Sequence, residues 1–154
     1  MKQQWLRIGV LAGALFAINV VGRLVVRFGG VDDIGTQQTL TLLAYGVIAV
    51  VMAILAGWWV RMRPTSRVIG ELAAAVVAAG VLILGVGPFL SGTTPAAVGA
   101  GDTFNAAWQY AGFAAGGTAL GLMIITALGK DYTSRSLARY AEIKRAKPRR
   151  PVRR

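Results

Sequence analysis

The chain has 154 residues, 55% of them hydrophobic and only 15% charged, with a formal net charge of +11. Cys and His are both absent, which excludes disulfide and thiol chemistry and removes the commonest general base and metal ligand. A soluble domain would be about a quarter charged; here long apolar runs separate clusters of charge, the pattern of a chain that crosses a membrane several times.

A bilayer core takes about 20 apolar residues of helix. The first such run covers residues 8–28. It follows Lys2 and Arg7 and so has the start of a signal peptide, but it continues through "INVVG" and "LVV" without a small-residue cleavage site. It is therefore expected to remain as a membrane span. The second run, 40–60, contains no charge. The third, 68–90, carries Glu71 near its start, and the fourth, 104–128, has Asn105 and Gln109 as its strongly polar residues. The expected fold is all-α, an integral membrane four-helix bundle over 1–130, followed by a cytoplasmic amphipathic and polybasic tail over 131–154.

Lys and Arg collect in cytoplasmic loops. All the basic residues except Arg23 and Arg27 lie before the first span, between the second and third, or after the fourth. The other two connections carry Asp32, Asp33 and Asp102. This alternation puts both termini in the cytoplasm. The short "RMRPTSR" link makes the second and third spans an antiparallel hairpin, and Gly87–Pro88 is placed to end or kink the third helix.

Arg23 and Arg27 sit four apart, on one face of the first span. An Arg at mid-bilayer costs about 2.5–3.5 kcal/mol on insertion scales. Arg23, however, is about sixteen residues into the span, close enough to the outer surface for its stem to snorkel. The favoured reading is an interfacial anchor paired with Asp32 or Asp33; the sharper one is an anion or headgroup site. Glu71 is the counterpart near the inner surface. With Arg61, Arg63 and Arg67 close in sequence, it reads as half of a structural ion pair, against the alternative of a proton or cation site.

Small residues let membrane helices approach closely. Gly9, Gly13 and Ala17 form such a stripe, as do Gly112 with Gly116, Gly117 with Gly121, Ala74 with Ala78, and Ala75 with Ala79. They serve either packing within one bundle or contact with a membrane-protein partner or a second copy. Asn19, Asn105 and Gln109 offer interhelical hydrogen bonds. Trp5, Trp58, Trp59 and Trp108 fall near expected membrane surfaces.

After Gly129 the chain reads as an amphipathic helix, then a polybasic end in which seven of the last eleven residues are basic: Lys144, Arg145, Lys147, Arg149, Arg150, Arg153 and Arg154. These are assigned to anionic lipid headgroups, attracted at about 1 kcal/mol each near the surface. Nucleic acid is not an expected partner, since no stacking aromatics are interleaved with the last basic residues.

The stretches "MKQQWLRIGVLAGALFAINV", "VGPFLSG" and "ITALGKDY…ARYAEIKRAKPRR" give the chain a pattern that resembles uncharacterised four-span integral membrane proteins of actinobacteria. The resemblance implies no activity, cofactor or metal. With no nucleophile–base pair and no metal-ligand cluster in the sequence, the chain is not expected to be an enzyme. The expectation is a bacterial inner-membrane accessory or scaffold subunit of an envelope assembly. The alternative is a small oligomeric transporter or channel using Glu71 or the Arg23–Arg27 face.

Overall fold

The computed structural model describes residues 2–29, 33–90, 92, 94 and 99–146. Among these the chain is helical and contains no strand. The helices are α1 (Lys2–Phe28), α2 (Ile34–Met62), α3 (Thr65–Gly85), the short α4 (Gly87–Leu90), α5 (Ala100–Ala127) and α6 (Tyr132–Ala146). Four of them, α1, α2, α3 and α5, are long and apolar enough to cross a membrane. Regular helix is what apolar runs of this length must form in lipid, where each backbone N–H and C=O needs a partner within its own segment.

The breaks between helices have local causes. Asp33 caps α2: its Oδ2 accepts from the Thr36 N–H and from Thr36 Oγ1, both at 2.9 Å. Arg63 is extended, as a residue before proline prefers, and Pro64 opens α3. At the far end of α3, Pro88 has no N–H to continue the ladder, so the helix stops at Gly85 and restarts as α4. Gly129, at φ +62°, closes α5 with its N–H on the Thr126 carbonyl while Lys130 N–H reaches Ile125, a Schellman arrangement. Asp131 then caps α6 through the N–H groups of Thr133 and Ser134.

In cross-section the long helices follow the order α1, α2, α5, α3, with α2 and α3 meeting across the diagonal. The most extensive interface is α2 on α5, followed by α1 on α3. The "RMRPTSR" turn does make α2 and α3 antiparallel neighbours in sequence. Its helices nevertheless pack mainly on others, because Gly117 and Gly121 let α5 come closest to α2. A Cβ on Gly117 would run into the backbone of Ala49, and one on Gly121 into that of Ala53. Ala75 and Ala79 are likewise buried. The other small-residue stripes, Gly9–Gly13–Ala17, Ala74–Ala78 and Gly112–Gly116, face outward.

The core between these helices is built from Leu15, Ile48, Met52, Leu72 and Ile83. Nearer the end opposite the termini it turns aromatic. Tyr45 lies 6.3 Å from Tyr110 and 6.0 Å from Phe113, centroid to centroid, and Tyr110 donates its hydroxyl to the Val76 carbonyl at 3.0 Å.

Candidate functional site

The polar groups of the bundle gather at its two ends. The end that carries the N-terminus, the α2–α3 turn and α6 is called the terminal end. The α1–α2 and α4–α5 connections lie at the opposite end.

At the terminal end Glu71 is buried in the second turn of α3, only 4% exposed. Its Oε2 accepts from an Arg63 guanidinium nitrogen at 2.7 Å, and its Oε1 from the Gln4 amide nitrogen Nε2 at 3.1 Å. A carboxylate taken out of water is tolerable only with such charge-assisted partners. Arg63 in turn lies 5.5 Å over the Trp59 ring, which favours its cation. The cluster ties the start of α1, the end of α2 and the start of α3 to one point. Beside it runs an open cleft of about 490 Å³ lined by Gln4, Trp5, Ile8, Ser66, Arg67, Gly70 and Glu71. Of the three arginines near Glu71 in sequence, the fold selects Arg63. Gln4, 67 positions away, has no signal in the sequence that would have found it.

At the opposite end the two arginines of α1 take different roles. Arg23 is half-buried; its Nε donates to Asn19 Oδ1 at 2.9 Å, and its guanidinium lies against the backbone of Gly87, where a Cβ would come within 3.0 Å of it. Arg27 is exposed and donates to the Leu90 carbonyl at 2.8 Å. Both therefore hold the α3–α4 corner against α1. The expected carboxylate Asp33 is engaged in capping α2, and Asp32 lies outside the described residues. Asn19, expected to bond between helices, instead accepts from Arg23 one turn along its own helix; the Leu90 carbonyl has no signal in the sequence.

Asn105 and Gln109 of α5 face Gln37, Gln38 and Thr41 of α2 across a cleft of about 360 Å³. These are uncharged donors and acceptors at the opposite end of the bundle. Among the described residues no group of three or more His, Cys, Asp or Glu is placed to hold a metal ion.

Of the headgroup-assigned residues, Lys144 and Arg145 lie in the last turn of α6, with Lys144 Nζ 5.0 Å from the Tyr140 ring centroid. Lys147, Arg149, Arg150, Arg153 and Arg154 lie outside the described residues.

Comparison with protein-family models, curated proteins and solved structures finds no match. The functional reading therefore rests on the chemistry of these clusters.

Proposed function

We propose that this chain is a non-enzymatic, multi-pass protein of the bacterial inner membrane, with both termini in the cytoplasm, that serves as an accessory or scaffold subunit of an envelope assembly. The observation that carries the reading is the engagement of Glu71: both carboxylate oxygens are committed, to Arg63 and to Gln4. Each oxygen accepts one hydrogen bond and the two bonds join three helices, an arrangement that suits a structural ion pair better than a proton relay or a cation site. The outward-facing stripes of small residues on α1 and α5 add surfaces of the kind that membrane partners pack against. The terminal end, rich in Lys and Arg, is assigned to the cytoplasm by the positive-inside rule.

The second reading, a small transporter or channel, draws on the cleft beside Glu71, whose carboxylate forms part of the wall. Three experiments test the proposal. A phosphatase reporter fused after Gly35 or Gly92 is expected to be active and one after Arg67 or Arg154 inactive, which tests the orientation. Purification in mild detergent should recover stoichiometric membrane-protein partners. A proteoliposome flux that Glu71→Gln abolishes would overturn the scaffold reading.

A further inference from the structure

Two clefts at the terminal end share one residue, Arg61. The first, of about 280 Å³, lies between the end of α2 and α6 and is lined by Arg61, Tyr132, Arg135, Ser136, Arg139, Tyr140 and Ile143. The second, of about 370 Å³, is an apolar groove between α2 and α5 lined by Ala53, Ile54, Gly57, Trp58, Gly121, Ile124 and Ile125, and it too reaches Arg61. Gly57 and Gly121 line it where α2 and α5 touch, Gly121 against the Ala53 backbone and Gly57 against Ile125. From Ala53 to Arg61 it covers nine residues of helix, a rise of about 12 Å toward the middle of the bundle.

We propose that these two clefts form one binding site for a membrane lipid with a phosphate-rich headgroup. The headgroup lies among Arg61, Arg135 and Arg139, and the first part of an apolar chain lies along the α2–α5 groove. Among the described residues the ion pair is Arg63–Glu71, so the three arginines of the cleft have no carboxylate partner there. Asp131, at the foot of α6, directs Oδ2 to the Thr133 and Ser134 N–H groups, and Glu142 does not line the cleft. Three guanidiniums over-compensate a single phosphate, whereas two phosphates nearly balance them and each accepts a bidentate pair. Tyr132, Tyr140 and Ile143 add apolar wall and hydroxyl donors to the first cleft. The continuity with the apolar groove favours a lipid over a free polyphosphate. This site is distinct from the polybasic end of the tail, whose attraction to anionic lipid is diffuse.

The proposal rests on the chain's being membrane-spanning but not on its scaffold role. A failed lipid assay leaves that role standing, and a Glu71-dependent flux leaves this site standing. The test is binding of three probes to the purified full-length protein, followed by native mass spectrometry and competition: diphosphatidylglycerol, phosphatidylglycerol and inorganic pyrophosphate. Diphosphatidylglycerol is expected to bind at least about tenfold more tightly than either of the others. The variant R61Q/R135Q/R139Q should lose that preference. A control that removes the same charge elsewhere, R7Q/R67Q/K130Q, should keep it. Ile124→Trp, which fills the groove from its outward face, should weaken the lipid and leave pyrophosphate unchanged. Equal loss in the charge-matched control would show diffuse attraction and overturn the site. Equal binding of the one- and two-phosphate lipids would overturn the headgroup assignment, and pyrophosphate binding as tightly as the lipid would overturn the role of the groove.

Discussion

The Glu71 carboxylate and the Arg63 guanidinium meet at 2.7 Å across the α2–α3 turn, with the acid buried and the base partly exposed. The asymmetry decides what each deletion should do. Removing the arginine strands a buried carboxylate beside Gln4; removing the acid frees a cation that can swing toward water or headgroups.

Arg63→Ala should therefore destabilise the protein more than Glu71→Gln. Breaking a buried pair costs about 3–5 kcal/mol in general, and the exposed edge of Arg63 moves the expected loss to the lower part of that range. Glu71→Gln should cost about 1–2 kcal/mol. The double variant should recover part of the Arg63→Ala loss, since no lone charge remains. Thermal unfolding of all three in one detergent supplies the cycle; strict additivity would show that the contact carries no coupling.

The α2–α5 interface makes a different demand. Gly117 and Gly121 face the backbone of Ala49 and Ala53 with no room for a methyl group, while Gly112 and Gly116 have open space around them. Gly121→Ala should force the helices apart and cost about 1–3 kcal/mol by overpacking. Gly112→Ala should be neutral or slightly stabilising through helix propensity. Comparable losses at both sites, measured by detergent melting, would contradict the packing.

These two cases mark what was legible in the sequence. Four helices long and apolar enough to span a membrane follow directly from the runs of Ile, Leu, Val, Ala and Gly, and the helix breaks from Pro64, Pro88 and Gly129. Which small-residue stripe faces inward does not follow. In a soluble helix polarity marks the outer face, but here Val47 and Val50 are outward-facing and as apolar as the buried Ile48. The same ambiguity hid the neighbour of α2. The sequence points Asn19 toward another helix, whereas it bonds to Arg23 one turn along its own; Gln4, which the fold brings to Glu71, has no signal in the sequence.

The arginines of α1 should separate under mutation. Arg23 is half-buried and bonded to Asn19, itself 3% exposed. Arg23→Ala leaves that amide without its cationic donor and opens space beneath Gly87, for an expected loss of about 1.5–3 kcal/mol, the range for hydrogen bonds to charged groups. Arg27 meets the Leu90 carbonyl at the exposed surface, so Arg27→Ala should change stability by no more than about 0.5 kcal/mol. Membrane accumulation and melting temperature of the two variants check this. Equal tolerance of both would return Arg23 to the status of a headgroup anchor.

The cap of α2 gives a pH dependence. Asp33 accepts from the Thr36 N–H and hydroxyl, and these hydrogen bonds, the backbone one foremost, hold its carboxyl below the usual value. A folded value below the unfolded one, about 3.9, means that the carboxylate stabilises the fold fully above that pH. The contribution declines as the pH falls through the depressed folded value, because protonation removes the acceptor. The effect is read as a difference from a reference variant. Asp33→Asn keeps a capping side chain with no charge to lose. The wild type should be at least as stable as Asp33→Asn at pH 7, and should lose stability relative to it as the pH falls below about 4. Parallel melting curves for the two proteins across that window would show that Asp33 does not cap α2 through its carboxylate.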